Sequence, residues 1–382
     1  MINLELSREQ KKLVQKTREL VQEEIKPRAL ELDKAGDSQF DWSLVKILAG
    51  YNLVCPTIPQ EYGGLGLGHL AAALVIEEIA YGCAGAAAVV DANMHAASPI
   101  ILGGNPEQKL KFLPLLTSAV PALAAFALTE SGAGSDIDSI STQAVLRKKE
   151  YIINGRKDFI LNASVASYFA VFAATDPRQK RASLRAFIVP STAEGLKVGR
   201  VRNKSGIRYA NTSEVILNNL AIPESYVVGG DRSGSGYLLM AQTFDRGRAL
   251  VGATAVGIAR SAYEMALDHA KTRKQFGKPL IENQTVAFAL AEMATKIELS
   301  RLITWKACLL IDNDQDYTTA SSMAKLFASE VAQEITCKAA DIIGSHGYLA
   351  DSFADKYVRD ARVLSTIEGT NNIQKAIIAS LL

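Results

Sequence analysis

The sequence has little of several residue types, and each shortage excludes a class of protein. Its four cysteines form no CxxC pair and its four histidines form no HExxH motif, so neither a disulfide framework nor a metal site is expected. With 42 basic and 40 acidic residues, the net charge of +2 offers no electrostatic basis for binding nucleic acid. No apolar run reaches about 18 residues, so no membrane-spanning segment is expected.

The N-terminal segment MINLELSREQKKLVQ has the pattern of neither a signal peptide nor an Arg/Ser-rich transit peptide. The cysteines, Cys55, Cys83, Cys308 and Cys337, lie far apart, which favours small buried apolar positions in a reducing compartment. These features predict a cytoplasmic protein.

Three zones of different residue pattern predict the fold. The first has apolar residues at helical spacing, beginning after a capping box formed by Ser7 and Gln10. The second has short β-like runs separated by Gly, Pro, Asn and Asp, and the third has four long helical stretches. The fold class is therefore α+β multidomain. We expect an N-terminal α-helical domain at 1–120, a middle antiparallel β domain at 121–231 and a C-terminal four-helix bundle at 232–382.

Two local features of this pattern are specific enough to test. Asn154-Gly155 lies between two β-like runs and predicts a hairpin turn. The last helical stretch is predicted to begin at Phe353 and to continue to Leu381. No βαβ alternation is present, so the glycine run Gly63–Gly68 is interpreted as a turn rather than a dinucleotide-binding loop.

Four segments carry residues suited to ligand chemistry: Phe126–Asp136 (FALTESGAGSD), Arg273–Leu280 (RKQFGKPL), Ile342–Tyr348 (IIGSHGY) and Ile367–Gln374 (IEGTNNIQ). Their glycines allow a ligand to approach the backbone, and their hydroxyls and cations suit phosphate and polar groups. Each also has an ordinary structural interpretation, namely a polar loop, a helix C-terminus capped by Gly277, a helix–helix turn and a solvated helix-end charge.

These segments occur in a fixed order with EYGGLGLG at Glu61–Gly68, KSGIRYANTSEV at Lys204–Val215, FDRGR at Phe244–Arg248, AKLFASEVA at Ala324–Ala332 and YVRDAR at Tyr357–Arg362. Over essentially the whole chain, the sequence resembles the acyl-CoA dehydrogenase family. The resemblance implies bound FAD, a homotetramer and an electron-transferring flavoprotein as partner. It also implies that Glu368 removes the α-proton of an acyl-CoA thioester while the β-hydride passes to flavin N5, giving an enoyl-CoA. Burial of Glu368 is expected to raise its basicity.

The resemblance assigns a set of residues to each part of the site. For FAD these are Phe126, Leu128, Thr129, Gly134, Ser135, Phe159, Leu161, Arg273, Phe276, Gln284, Asp341, Gly344, Ser345, Thr370 and Asn372. For the substrate they are Ser135, Asp245, Arg248 and Gly369, where the backbone around Glu368 and Gly369 helps to bind the thioester carbonyl.

The sequence departs from the family pattern in four places, the first of which contains both Phe159 and Leu161. Phe159 stands in place of a tryptophan, and Leu161 lacks the usual hydroxyl near flavin N5. Asp341 replaces a glutamine near the FAD phosphates, and Ile367 replaces the tyrosine before the base. The fourth departure is Asp91, which falls on the helix that floors the acyl pocket.

Asp91 has two interpretations. It is either an ordinary polar helix residue or a second base, because a branch of the family that acts on alicyclic carboxyl-CoA thioesters uses such an aspartate for 1,4-elimination. Since Glu368 is retained, the sequence favours dehydrogenation of a ring acid such as cyclohexanecarboxyl-CoA. The alternatives are 1,4-elimination on cyclohex-1-ene-1-carboxyl-CoA, a linear or branched short- to medium-chain substrate, a flavin oxidase or monooxygenase, and a non-catalytic acyl-CoA-binding partner protein.

Overall fold

The computed structural model describes residues 5–35, 40–230 and 234–382. Helices form the first part of the chain. They are α1 (Arg8–Leu20), α2 (Ala29–Ala35), α3 (Ser43–Gly50), α4 (His69–Gly82), α5 (Ala84–Gly103) and α6 (Pro106–Phe112). The predicted capping box is confirmed, because Ser7 Oγ accepts from the Gln10 N–H at 3.2 Å and Gln10 Oε1 accepts from the Ser7 N–H at 2.9 Å. The glycine run before α4 forms a turn, as predicted, with Gly63 and Gly66 at positive φ.

Helix α5 is buried over most of its length because it packs against both a β-strand and the longest helix of the chain. Its alanines and glycines keep it narrow enough to fit between two layers. A polar side chain on such a helix must find its partner inside the protein. Asp91, Asn93 and His95 are the buried polar residues in its middle turns.

The middle of the chain forms a β-sheet. Its strands are β1 (Leu123–Ala127), β2 (Gln143–Arg147), β3 (Glu150–Leu161), β4 (Ala166–Ala174), β5 (Leu184–Pro190), β6 (Leu196–Val201), β7 (Thr212–Pro223) and β8 (Val227–Val228). Seven of them follow the order β6-β7-β3-β2-β4-β5-β8, and β1 pairs with β4. The sheet is mixed rather than purely antiparallel as expected, because β1 and β2 both run parallel to β4.

The hairpin predicted at Asn154-Gly155 is wrong. Both residues lie inside β3, which pairs with β2 on one side and β7 on the other, with a register irregularity between Ile153 and Gly155. The tight turn instead lies at Lys148-Lys149, where Arg147 pairs with Glu150 and Lys148 has φ 60°. Glycine is needed at 155 because a Cβ there would come within 2.7 Å of Thr142 Cα.

Helices form the last part of the chain. They are α7 (Ser235–Thr272), α8 (Gln284–Asp312), α9 (Thr318–Ile343), α10 (Phe353–Leu364) and α11 (Asn371–Ser380). Between α7 and α8 lies a small hairpin of β9 (Lys274–Gln275) and β10 (Lys278–Pro279). Its turn residues Phe276 and Gly277 both have positive φ, so Gly277 belongs to a two-residue turn and is not a helix cap.

The continuous final helix predicted up to Leu381 is interrupted. The chain leaves helical geometry after Leu364 and begins α11 at Asn371, so that Glu368 and Gly369 lie in a short loop between two helices. The local signals of this break are Gly369, which has a positive φ, and Thr370, which is the N-cap of α11.

The overall arrangement confirms the predicted fold class of helices, a β domain and a helix bundle. The division at 120/121 and at 231/232 stays a prediction, and the second boundary lies outside the described residues. Cys55, Cys83 and Cys308 are buried as expected, whereas Cys337 is exposed. Within the described ranges, no helix combines the length and the apolar character needed to cross a bilayer.

Candidate active site

The loop between α10 and α11 places Glu368 in an unusual backbone conformation. Glu368 has φ 53° and Gly369 has φ 85°, so two successive residues adopt the left-handed region. For a long side chain this conformation is costly and must be held by its surroundings. Gln374 Nε2 donates to the Glu368 and Gly369 carbonyls at 3.2 and 2.9 Å, and Lys325 Nζ donates to the Gly369 carbonyl at 2.8 Å. The following helix is capped by Thr370 Oγ1, which accepts from the Ile373 N–H.

The side chain of Glu368 meets two residues of α5. Its Oε2 lies 3.1 Å from His95 Nε2, and His95 Nδ1 lies 3.5 Å from Asp91 Oδ1. One ligand-capable atom from each of the three residues lies within 4.8 Å of the others. Their side chains are 7–10% exposed. We call Asp91, His95 and Glu368 the carboxylate–histidine cluster.

The glycine at position 247 of α7 makes this cluster possible. A Cβ on Gly247 would lie 2.1 Å from His95 Nε2 and 2.7 Å from Glu368 Oε2. Any larger residue there would therefore force the pair apart. A helix backbone thus closes directly over the charged groups and shields them from water.

The three groups strongly change one another's ionisation. Burial, followed by the charge of Glu368, raises the pKa of Asp91 to about 7. Burial alone would lower the pKa of His95, but the two carboxylates raise it well above its usual value. Burial alone would raise the pKa of Glu368, but His95 outweighs it and the pKa of Glu368 is lowered. The expected increase in Glu368 basicity is therefore wrong, because the adjacent His95 favours the ionised carboxylate and lowers the pKa of Glu368.

A cavity of about 160 Å³ adjoins the cluster and is bounded mainly by α5 and α7. Its wall combines apolar residues such as Met94 and Leu250 with polar ones such as Ser98 and Thr243. Ligand pockets are usually about 300–1,000 Å³, so this cavity suits only a small part of a large ligand. Beside His95, the rings of Phe126 and Phe244 lie edge-to-face at 5.5 Å and contribute an apolar wall.

Asp245 and Arg248, predicted to bind substrate, lie one helical turn apart on α7 and form a buried ion pair. Thr318 Oγ1 donates to the second Asp245 oxygen at 2.9 Å. Burial is the largest effect on both groups, raising the pKa of Asp245 and lowering that of Arg248. The charge of Glu368 also acts on Arg248, so the pair belongs to the same electrostatic region as the cluster.

The loop that was predicted to bind FAD follows β1. Glu130 anchors this loop to neighbouring parts of the β domain. Its carboxylate accepts from the Ser141 and Thr142 N–H groups and from Lys157 Nζ at 2.8 Å. Lys157 also donates to the Leu128 carbonyl at 2.9 Å. Although burial opposes it, Lys157 lowers the pKa of Glu130 to about 2, while burial lowers the pKa of Lys157 to about 8. This buried pair fixes the segment that contains Leu128 and Thr129.

The exposed side of the same region fits a flat ligand. Gly134 and Ser135 are exposed, and a Cβ on Gly132 or Gly134 would meet nothing within 4 Å. Phe159 is 61% exposed at φ 58°, an outlier for an aromatic residue. It is held there by Asp158, which accepts from the Phe159 N–H and forms two bonds to Arg202. Leu161, at the end of β3, is partly buried and offers no hydroxyl. An open backbone and a projecting aromatic are consistent with bound FAD.

The other predicted cofactor residues lie at the ends of the C-terminal helices. Phe276 is 96% exposed at the tip of the β9–β10 hairpin, and Arg273 and Gln284 flank it as exposed residues. The exposed residues at the end of α9 are Asp341, Gly344 and Ser345, and Asn372 is exposed on α11. The structure shows no contact between these residues and the carboxylate–histidine cluster. They lie on separate exposed segments of the C-terminal helices.

Several residues of the site were missed by the sequence reasoning. His95 follows Asp91 by four residues, and that spacing places both on one face of a helix. Lys325 and Gly247 both lie within motifs that had been noted without assigning these residues a role. Gln374 and the Glu130–Lys157 pair form buried hydrogen bonds that hold the two loops, and the local sequence carries no clear signal of such burial.

Comparison with known protein families agrees with this geometry. The acyl-CoA dehydrogenase N-terminal domain matches residues 7–119, the middle domain matches 125–220 and the C-terminal domain matches 234–382. The chain belongs to the acyl-CoA dehydrogenase family. It is accordingly an FAD-dependent oxidoreductase that acts on acyl-CoA, and the non-catalytic alternative does not hold.

Individual relatives cover almost the full chain. It is 38% identical over 378 residues to a cyclohex-1-ene-1-carbonyl-CoA dehydrogenase of Geobacter metallireducens, covering 99% of this chain and 98% of that protein. It is 37% identical over 381 residues to the human mitochondrial short-chain specific acyl-CoA dehydrogenase, covering 100% and 91%. The solved structure of butyryl-CoA dehydrogenase from Megasphaera elsdenii superposes with a TM-score of 0.95 at 31% identity, covering 100% and 99%.

Proposed function

We propose that this enzyme dehydrogenates an alicyclic carboxyl-CoA at Cα–Cβ, with Glu368 as the base. The observation that carries the proposal is the buried Glu368 beside a small cavity. Helix α5, which bounds that cavity, also carries Asp91. An ordinary fatty acyl tail has no use for a second carboxylate, whereas a ring presents several C–H groups to the same wall. The two relatives named above, a cyclohex-1-ene-1-carbonyl-CoA dehydrogenase and a short-chain specific acyl-CoA dehydrogenase, are consistent with this substrate range.

The chain's own residues account for the acid–base part of the reaction. Glu368 takes the α-proton through a carboxylate that the left-handed loop points into the cluster. Its backbone N–H is available to the thioester carbonyl oxygen, where charge develops as the proton leaves. Phe126 and Phe244 exclude water from the reacting carbons. The chemistry that FAD supplies when bound is acceptance of the β-hydride.

FAD would be held by the open loop at Leu128–Ser135, by Phe159 and Leu161, and by exposed residues at the ends of the C-terminal helices. These exposed residues include Arg273, Phe276 and Gln284. In the family, such residues reach the FAD of a neighbouring subunit, and the nearly complete exposure of Phe276 supports a homotetramer here. The electron acceptor would be an electron-transferring flavoprotein. Rapid reoxidation of the reduced enzyme by air would instead favour a flavin oxidase.

A substrate panel tests the proposal. Anaerobic titration of the FAD-loaded enzyme with butyryl-, octanoyl-, isovaleryl-, cyclohexanecarboxyl- and cyclohexenecarboxyl-CoA is followed by the absorbance of oxidised flavin. Bleaching by cyclohexanecarboxyl-CoA, with little or none by the linear thioesters, is the expected result. Bleaching only by cyclohexenecarboxyl-CoA would favour 1,4-elimination with Asp91 as base. Bleaching only by linear or branched thioesters would overturn the alicyclic assignment.

A further inference from the structure

His95 contacts both carboxylates of the cluster and has no role in the proposed mechanism so far. Its Nδ1 lies 2.9 Å from the Asp91 backbone carbonyl. A carbonyl oxygen can only accept, so Nδ1 carries a proton and Nε2 is the nitrogen presented to Glu368. The orientation of the ring is thus fixed from the helix side, and its reactive edge faces the base.

Without a cation, the cluster would contain two buried carboxylates in close proximity. Two such groups cannot both ionise at low cost, and one of them retains a proton. Which carboxylate keeps it would then depend on small differences in burial, because the two side chains are equally exposed at 10%. His95 breaks this symmetry. Its Nε2 lies 3.1 Å from Glu368, whereas the nearer Asp91 carboxylate oxygen lies 3.5 Å from Nδ1, which already bonds a carbonyl.

The other charged groups around the cluster do not replace His95. From α9, Lys325 Nζ is bound to the Gly369 carbonyl and to Asn371 Oδ1 rather than to the Glu368 carboxylate. From α7, Arg248 is paired with Asp245, and the residue that faces His95 directly is Gly247. Two further charged or titratable residues line the adjoining cavity and have other neighbours: Arg246 lies over the Tyr317 ring, and His69 lies beside Asp312. From β1 and α7, the nearest side chains are the apolar rings of Phe126 and Phe244. Lys325 and Arg248 add a positive background, but His95 makes the contact.

We propose that His95 is a positioning residue that keeps Glu368 ionised and aimed at the substrate while the remaining proton stays on Asp91. The inference rests on the proposed function only in naming Glu368 as the base. It assigns unequal roles to the two carboxylates: Glu368 is ionised and can accept a proton, whereas Asp91 carries the remaining proton. It also explains the glycine at 247, since a side chain there would displace the imidazole.

The direct test compares His95→Gln with the parent enzyme. Glutamine can still donate a hydrogen bond but carries no charge. We expect the acid limb of the pH profile of kcat/KM to move up by about 1–3 pH units, the effect of removing an opposite charge from a buried carboxylate. His269→Gln, which removes a histidine of α7 outside the cluster, is the matched control and should leave the profile unchanged.

A second measurement does not depend on turnover. Infrared difference spectra of the substrate-free, FAD-loaded protein are recorded as the pH is changed, and the carboxyl band of Glu368 is assigned by its loss in Glu368→Gln. In His95→Gln this band should titrate about 1–3 pH units higher than in the parent. Because no substrate is involved, the result stands even if every thioester in the panel fails.

The second variant, Gly247→Ala, keeps the imidazole but adds a methyl group that collides with both His95 Nε2 and Glu368 Oε2 and forces the pair apart, so it should shift the Glu368 band in the same direction. This variant decides the matter if His95→Gln does not fold. An unshifted Glu368 band in the folded variants would overturn the proposal. If the pH profile moves only because part of the variant protein is unfolded, His95 is a packing residue and the proposal is also overturned.

Discussion

Asp91 illustrates how one buried carboxyl can be either inert or reactive. Its pKa is raised to about 7, mainly by burial, so both of its forms are accessible near neutral pH. The protonated form suits a spectator that lets Glu368 act alone. The ionised form, which gains population as the pH rises through about 7, suits a base for a second C–H group of a ring.

Replacing Asp91 by asparagine separates these roles. For Asp91→Asn we expect kcat/KM for a linear thioester to stay nearly unchanged. For a ring thioester we expect kcat/KM to fall roughly tenfold or more, the scale of a lost acid–base group, above about pH 7, where Asp91 is ionised in the parent. Where the ring reaction of the parent gains rate as the pH rises through about 7, the variant should lose that gain. The measurement is the pair of pH–rate profiles. Equal losses on both substrate classes would make Asp91 an ordinary packing residue.

Sequence reasoning identified Glu368 and Asp91 but gave the wrong direction for the basicity of Glu368. The error arose because the pKa of a buried acid depends on its nearest charge, and that charge came from His95 on a helix distant in sequence. Histidines were considered only as metal ligands, and that criterion overlooks a histidine that pairs with carboxylates. The Asp91–His95 spacing was visible in the sequence. The contact of His95 with Glu368 joins residues 273 positions apart and becomes visible only in the fold.

At the scale of elements, the buried Glu130–Lys157 pair joins the loop after β1 to strand β3. Breaking one partner of a buried pair leaves an uncompensated charge in the core. For Glu130→Gln we therefore expect a loss of roughly 3–5 kcal/mol in the free energy of unfolding and weaker retention of FAD. The pKa of Glu130 is lowered to about 2 in the folded protein. The stabilisation that ionised Glu130 provides is therefore fully present when the pH is above the pKa of this group in the unfolded chain, and it is lost as the pH falls through about 2.

Glu150→Gln provides the matched control for that variant. Glu150 is an exposed residue at the start of β3, the strand that also carries Lys157, so the same substitution there should leave both properties unchanged. Urea unfolding and the flavin absorbance after gel filtration measure the two effects. Parent-like stability of Glu130→Gln would show that the pair does not anchor the loop.

The elements themselves were predicted unevenly. Helix starts with clear caps, such as α1, were placed correctly, because capping depends on a few local residues. The turn predicted at Asn154-Gly155 was misplaced because Gly155 has a different use. It lies inside a strand, where its lack of a Cβ lets Thr142 pack closely against the backbone. The last helical stretch was predicted to run without a break, although Gly369 and the N-cap residue Thr370 mark one locally. The path of the loop between the two helices depends on hydrogen bonds from Gln374 and Lys325, which the sequence does not reveal.

For the whole molecule, the β9–β10 hairpin is the clearest feature without a partner in the described chain. The ring of Phe276 is nearly fully exposed, which leaves a large apolar side chain in water unless another surface covers it. The backbone of Phe276 is in the left-handed conformation. Asparagine tolerates that conformation, so Phe276→Asn removes the ring without adding backbone strain. We expect the variant to sediment as smaller species on dilution and to lose FAD more readily than the parent.

Leu110→Asn is the control for this assembly prediction, because Leu110 is another exposed apolar side chain, 64% exposed on α6. It should leave both sedimentation and FAD retention unchanged. A Phe276→Asn protein that sediments and retains FAD like the parent would contradict the proposed subunit contact.

The central claim, that Glu368 is the base, has the most direct test in Glu368→Gln. The amide keeps the size and loop position of the side chain but cannot accept the α-proton. The measurement is anaerobic mixing of the FAD-loaded variant with the thioester that reduces the parent fastest, with binding followed separately by calorimetry. We expect binding within a few-fold of the parent and flavin reduction slowed by about 10²–10⁴-fold. Reduction at the parent rate would remove Glu368 as the base and contradict the account.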